Sequence, residues 1–368
     1  MTDRNPRETG ISRRDFLRFA GIASAAALLP GQLLASVGDK TVAKDFSPAY
    51  GIIPPMVTPF TRTGSIDWNA LDHLVEWHID RGVSGLFVVC GSGEMYDLTP
   101  DEALAIASRV VKRSSGRINV FATSSLKRRY AQVDENIALT KRMAETGVTG
   151  CFITLPSDAP TGFWQPMDDS MVAYFRKIHD GTNCPLYIYE NPMGRQSYKF
   201  SPDAMAEIGG MERYISVKDT STIRHVPRDT ALAPIKAKLE AVGDSFRIMQ
   251  ADPKWFLESL KLGCSGGINI TANVAPSLHV ELYRAFKKGD MATAVMLQDR
   301  IFTIEKLASG GSVKAWKIFL KLSGLPMLTV TRSSGSYTKS PDNITQMLEI
   351  VRKAEADLGI HTPVPKAI

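Results

Sequence analysis

The chain has 368 residues, 44% apolar and 22% charged, which excludes a disordered or fibrous protein and fits a soluble globular enzyme. The net charge is +6, but the first 36 residues carry five arginines against three acidic residues. The remaining +4 is spread without a long basic run, so nucleic-acid binding is not expected. Four scattered cysteines (Cys90, Cys151, Cys184, Cys264) exclude a disulfide-dense scaffold and lack the close pairing of a zinc site.

At the N-terminus, Ser12-Arg13-Arg14-Asp15-Phe16-Leu17 precedes an alanine-rich apolar stretch from Phe19 to Pro30. A twin arginine before a moderately apolar segment is the mark of a twin-arginine export signal. A dozen apolar residues are too few to cross a bilayer as a helix, which argues against a membrane anchor. Residues 1–36 are therefore read as the signal and 37–50 as a linker. The twin-arginine export machinery is an expected partner, the periplasm the expected location, and no stable membrane span is expected once the signal is removed. Leu33-Leu34-Ala35 only partly matches a small-residue cleavage site, which leaves an uncleaved tether as the alternative. The oxidising compartment permits disulfides, but Cys90, Cys151 and Cys184 fall in or beside apolar runs and are expected to fill core space.

After Tyr50, short β-rich runs recur at intervals of roughly 30 residues. Strands are predicted at 52–58, 85–90, 118–123, 150–155, 186–190, 214–218, 246–250 and 267–271. Helical patterns lie between them at 67–81, 132–146, 169–179, 253–262 and 277–287. Another opens at Thr99-Pro100 with Asp101-Glu102 in its first turn, a sound cap. Eight strand–helix units predict a parallel sheet closed into a (βα)8 TIM barrel over 51–288. An open doubly wound sheet is the alternative. From Asp290 the pattern is helical only, predicting a C-terminal helical extension over 289–368.

In a barrel, chemistry sits at the carboxyl ends of the strands. Gly263-Cys264-Ser265-Gly266-Gly267 matches G-x-S-x-G, but a helix precedes the serine and a strand follows, the reverse of a nucleophile elbow. Ser124-Ser125-Leu126-Lys127 matches S-x-x-K without the Ser-Asp-Asn or Lys-Thr-Gly that accompany it in penicillin-binding enzymes. Gly91-Ser92-Gly93 lacks the third glycine of a dinucleotide loop, where Tyr96 stands. His73 and His78 are five residues apart and no H-E-x-x-H occurs, so no metal is expected, and no cofactor.

Three residues remain. Lys218 closes the apolar run Tyr214–Val217, Tyr189 ends Leu186–Ile188, and Ser92 lies just past the second strand, all at one face of the barrel. A lysine held there in low dielectric gives up its proton more easily. The neutral amine can then attack a ketone to form an imine, with a nearby tyrosine moving protons. Backbone amides and a hydroxyl at Gly91–Gly93 can hold a carboxylate. Position alone leaves a solvated lysine and a rim aromatic as the alternative.

At these residues the sequence resembles the N-acetylneuraminate lyase/dihydrodipicolinate synthase family of class I aldolases and lyases, from about Gly51 to Leu297. The matching stretches are Gly51–Phe60, Gly91–Glu94, Tyr189–Pro192, Val217–Asp219 and Gly267–Asn273, in order and at strand ends. The resemblance implies a (βα)8 barrel, commonly a homotetramer, and a Schiff base between Lys218 and pyruvate or another 2-keto acid. It implies proton relay by Tyr189, carboxylate binding by Ser92 and Gly93, and a pocket lined by the backbone of Ile268. Arg195, one place later than the family's arginine, is assigned a second substrate carboxylate.

Two departures bear on the activity. The family's Thr-Thr-Gly-Glu is Gly91-Ser92-Gly93-Glu94 here, and its Pro-Tyr-Tyr is Pro156-Ser157-Asp158, with Asp158 a candidate substitute relay group. These changes and the export signal argue against dihydrodipicolinate synthesis, and Tyr189–Pro192 followed by Lys199-Phe200 is similar to the hydratase-aldolase branch. The expectation is an exported lyase or aldolase acting on a 2-keto acid. The alternative is a non-catalytic periplasmic binding protein for a keto acid or sugar acid on the same barrel. A flavin or nicotinamide oxidoreductase ranks third.

Overall fold

A computed structural model describes residues 44–127, 129–156, 167–190, 199–222, 225–308, 313–333 and 341–360. Eight parallel strands form the centre: β1 Gly51–Ile52, β2 Gly85–Val88, β3 Asn119–Thr123, β4 Gly150–Thr154, β5 Leu186–Tyr189, β6 Tyr214–Asp219, β7 Arg247–Gln250 and β8 Gly266–Gly267. Their order runs β1-β8-β7-β6-β5-β4-β3-β2. Pro55 bridges to Phe87 in parallel, with Met56 N–H donating to Phe87 O at 2.9 Å, and this joins the β1 segment to β2 and closes the circle. The fold is a (βα)8 barrel, as the spacing of strands predicts.

The helices that follow the strands are α1 Trp68–Ile79, α2 Pro100–Ser114, α3 Val133–Glu145, α4 Met167–Gly181, α5 Pro202–Gly210, α6 Arg228–Val242, α7 Phe256–Leu262 and α8 Pro276–Lys288. Their starts follow from local chemistry. Asp67 accepts from Ala70 N–H at the head of α1. Thr99 and Glu102 form a reciprocal capping box at α2, so two N–H groups without helical partners are satisfied. The extension consists of α9 Met291–Ala308, α10 Val313–Leu322 and α11 Pro341–Asp357.

Most strands end within a residue or two of their predicted bounds, and the first and last come out much shorter. The first, expected over 52–58, stops at Ile52, because Pro54 and Pro55 carry no N–H for the ladder. The last, expected over 267–271, ends at Gly267, and Ile270–Asn273 wind into a 3-10 turn. Both still deliver their following residues to the carboxyl-end face.

The barrel interior is filled with rings. Phe87, Phe121, Phe152 and Tyr187 come from β2, β3, β4 and β5, with ring centres 4.1 Å apart for Phe87–Phe152 and 4.9 Å for Phe121–Tyr187. All four are essentially fully buried. Each such ring removes 150–250 Å² from water, roughly 4–6 kcal/mol at about 25 cal/mol per Å². This layer is the floor below the strand ends. All four cysteines are buried thiols. Ser265 precedes β8, buried, with its hydroxyl donating to Ile248 O, and Ser124 exchanges a hydrogen bond with Thr140, so neither is set as a nucleophile. Among the described residues no helix is long and apolar enough to cross a membrane, and no cluster of His, Cys, Asp or Glu is placed to hold a metal ion.

Candidate active site

β5 and β6 are paired with Tyr189 opposite Lys218. Strand alternation turns both side chains inward, above the aromatic floor. The Lys218 Nζ lies 4.3 Å from the centre of the Tyr189 ring and 5.6 Å from that of Phe87, and the Phe87 and Tyr189 rings meet edge to face at 5.4 Å. Lys218 is 7% exposed. Burial lowers its amine from 10.5 to about 8, with the Cys90 thiol pulling the other way. Burial likewise pushes the Tyr189 phenol well above its usual value, and the Cys90 thiol upward. The site therefore pairs an amine that is partly neutral near pH 8 with a phenol that stays protonated.

The turn after β2 supplies the third component. Gly93 has no room for a side chain: a Cβ there would lie 3.0 Å from Met56 O and 3.1 Å from Thr58 Oγ1. The Thr58 hydroxyl donates to Gly93 O at 2.8 Å, and Glu94 N–H donates to Gly91 O at 3.1 Å. Ser92 is buried within this turn. A Cβ on Gly91 would lie 3.0 Å from Tyr189 Oη, so the phenol oxygen rests against the glycine backbone. Ile268, buried just past β8, donates its N–H to Gln250 O at 2.8 Å.

The sequence-predicted residues Lys218, Tyr189, Ser92, Gly93 and Ile268 thus all lie at the carboxyl ends of the strands, and Lys218, Tyr189 and the Gly91 turn are brought together. Arg195 and Asp158 fall outside the described residues.

Sequence reasoning missed the supports of this site. Glu190 and Asp219 each follow an inward-facing residue and so point outward, where both meet one lysine of α6. Lys238 Nζ donates to Glu190 Oε1 at 2.8 Å and to Asp219 Oδ2 at 2.7 Å, with all three side chains at most 1% exposed. Glu190 also accepts from the N–H groups of Phe200 and Thr220, and Asp219 from the N–H and hydroxyl of Ser221. Burial, then the nearby Asp219 charge, raises the Glu190 carboxyl to about 7 against the pull of Lys238. Burial alone would lower the Lys238 amine, but the two carboxylates outweigh it and raise it. The outward alternation of the two acids was readable from sequence, but their partner on α6 was not.

The dihydrodipicolinate synthetase family profile matches residues 48–354. A twin-arginine translocation signal matches residues 10–30, and the chain is exported by that pathway. The chain is 31% identical over 256 residues to the 4-hydroxy-tetrahydrodipicolinate synthase of Roseobacter denitrificans, covering 70% of this chain and 81% of the relative. It is 29% identical to the enzyme of the same name from Pseudomonas aeruginosa, covering 70% and 82%. Among solved structures, the chloride-inhibited dihydrodipicolinate synthase of Acinetobacter baumannii in complex with pyruvate superposes with a TM-score of 0.70 at 25% identity, over 86% of this chain and 100% of that one.

Proposed function

The chain belongs to the dihydrodipicolinate synthetase family, and on that premise we propose that it is an exported class I lyase or aldolase that forms an imine between Lys218 and a 2-keto acid of the pyruvate type. The observation that carries this reading is the buried Lys218 amine, lowered to about 8 and standing over the Tyr189 ring. In its neutral form Nζ attacks the C2 carbonyl carbon, and the carbonyl oxygen leaves as water after receiving protons. The nitrogen is left as a positive iminium that draws electrons from the bond between C3 and C4, so that bond breaks, or forms in the reverse direction. Tyr189 supplies and recovers the protons. The Ser92–Gly93 turn holds the carboxylate and the Ile268 backbone lines the pocket, while Arg195 grips a second carboxylate.

Gly91 removes one relay hydroxyl, and Ser157-Asp158 stands where the family's tyrosines stand. Together with export, this favours cleavage of an exogenous sugar acid or aromatic keto acid over dihydrodipicolinate synthesis. Membership of this family supports assembly as a homo-oligomer, with a tetramer as the form proposed. The test is borohydride reduction of the mature protein with pyruvate and other 2-keto acids, followed by peptide mass spectrometry. An adduct on the Lys218 peptide supports the imine and identifies the donor. No adduct with any keto acid, on folded protein, sinks it.

One observation favours a second reading, a binding protein without turnover. The Tyr189 hydroxyl faces a glycine in place of a relay hydroxyl. Tight keto-acid binding that survives Lys218→Met, without turnover, would select it.

A further inference from the structure

The turn that carries Ser92 and Gly93 is bracketed by two residues with left-handed backbone, Val89 at φ 50° and Glu94 at φ 58°. Neither is glycine, and for a β-branched valine this conformation is a genuine outlier. Such residues are strained and persist only where the surroundings over-determine them. Beside Val89, Cys90 O accepts from Met95 N–H at 3.1 Å. At the Glu94 end the holding groups come from the far end of the chain.

Glu94 is 3% exposed, and its carboxylate is saturated by the C-terminal extension. Oε1 accepts from Lys317 Nζ of α10 at 2.6 Å, and Oε2 accepts from the N–H groups of Arg332 and Ser333, each at 2.7 Å. Lys317 is fully buried, also donates to Val330 O at 2.7 Å, and stands 4.4 Å from the centre of the Phe60 ring. Arg332 grips Glu102 of α2 through both guanidinium ends at 2.8 and 2.6 Å, donates to Gly64 O and Asp97 O, and lies 4.6 Å from the centre of the same Phe60 ring. One short segment thus binds the turn, the loop after Phe60 and the start of α2 together.

A buried ion pair is a poor source of stability, because desolvation consumes most of its attraction. What a fully saturated one does provide is a single conformation. We infer that Lys317 and Arg332 are positioning residues for the keto-acid carboxylate, acting through Glu94 to hold the strained Ser92–Gly93 turn. This inference rests on the reading of that turn as the carboxylate site. With Glu94 untied, the αL residue relaxes and the turn amides swing from the direction the carboxylate needs. Displacements near 1 Å at a positioned group cost up to about a hundredfold. The effect falls on keto-acid affinity, since Lys218 lies on a different strand.

The experiment is borohydride trapping of pyruvate on full-length mature protein across a range of pyruvate concentrations. The parent is compared with Glu94→Gln, Lys317→Met and Lys317→Arg, with a thermal melt of each. The expected result is a half-saturating pyruvate concentration raised about tenfold in Glu94→Gln and Lys317→Met. Lys317→Arg returns it towards the parent, and the adduct at saturation is unchanged in all three. If Lys317→Met does not fold, Glu94→Gln, which keeps the side-chain shape, decides the matter. Folded variants with lower melting temperature and unmoved half-saturation overturn the inference and leave the site reading standing. A parent that forms no adduct at Lys218 overturns both.

Discussion

The Lys218 amine sits 4.3 Å above the centre of the Tyr189 ring, on its π face. A ring face attracts positive charge by roughly 0.5–2 kcal/mol, yet the amine is lowered to about 8, so burial outweighs that attraction in the resting protein. The arrangement changes value once an imine forms. An iminium is positive at every pH at which it persists, and the same ring face then stabilises the charged intermediate. The ring serves the intermediate more than the free amine, which is what acceleration of a step requires.

Imine formation should follow the neutral amine, rising as pH increases and levelling above about 8. The initial rate of borohydride-trapped adduct between pH 6 and 10 measures this, and a flat profile over that range would contradict it. Stability should move with the same group. Its folded value of about 8 lies below the 10.5 of an unperturbed lysine. Between those values the unfolded chain binds a proton that the folded chain has released, so stability rises with pH across that window. Lys218→Met should therefore abolish the adduct and stabilise the fold at pH 7 by on the order of 3 kcal/mol. That gain should fade as pH rises from 8 towards 10.5. Urea melts at pH 7 and pH 10 check it.

Tyr189→Phe keeps the ring over Nζ and removes only the hydroxyl. Because burial holds the phenol protonated, its role is to donate and recover protons, and general acid–base groups contribute roughly 10²–10⁴-fold. Turnover should fall within that range while trapped adduct at long incubation remains. Loss of adduct and turnover in equal measure would show that the hydroxyl is needed to form the imine itself and not for the later steps.

At Gly91 an added Cβ would lie 3.0 Å from the same hydroxyl, closer than ordinary packing allows. Gly91→Ala should push the phenol oxygen aside and lower kcat by about tenfold. The Lys218 adduct with pyruvate should still reach its parental level at long incubation. The comparison of steady-state kcat with final adduct separates the two effects, and an unchanged kcat would remove the hydroxyl from the reacting position.

What was legible in the sequence follows physical range. Lys218 and Tyr189 could be placed because each terminates an apolar run whose period is local, and β5 ends at Tyr189 and β6 one residue past Lys218. The first strand was overextended because apolar content at 52–58 says nothing of the N–H groups missing at Pro54 and Pro55. The helix α6 shows only weak amphipathic alternation and contains Pro234, so no pattern marked it or its Lys238. The ties that hold the site are longer still: Lys238 and Glu190 are 48 residues apart, and Lys317 and Glu94 are 223 apart. A buried lysine and a solvated one read identically until their partners are in place.

The export signal is testable apart from the chemistry. Replacing Arg13 and Arg14 together by lysine keeps the charge and removes the paired guanidinium groups. The full-length protein should then accumulate folded and active in the cytoplasm, with none in the periplasmic fraction. Fractionation with an activity or trapping assay on each fraction reads this, and unaltered export would assign the segment another role.

Among the described residues, Lys238 is the one cation shared by the two buried carboxylates that directly follow Tyr189 and Lys218. Lys238→Met leaves both acids without a counter-charge, and breaking a buried pair from one side costs about 3–5 kcal/mol. The loss should depend on pH in a defined direction. Glu190 is already raised to about 7 by burial and by Asp219, and removal of Lys238 raises it further. A carboxyl with a raised folded value binds its proton more readily in the folded than in the unfolded chain. Stability of the variant should thus fall as pH rises from about 4.5 through 7 and beyond, so its deficit against the parent is smaller at pH 5 than at pH 8. Denaturant melts at the two pH values measure the difference. A deficit independent of pH would mean that the variant suffers from lost packing of the lysine stem instead of uncompensated charge. Trapping of pyruvate at pH 8 should weaken alongside, because the acids fix the ends of β5 and β6 from outside while Tyr189 and Lys218 work from within.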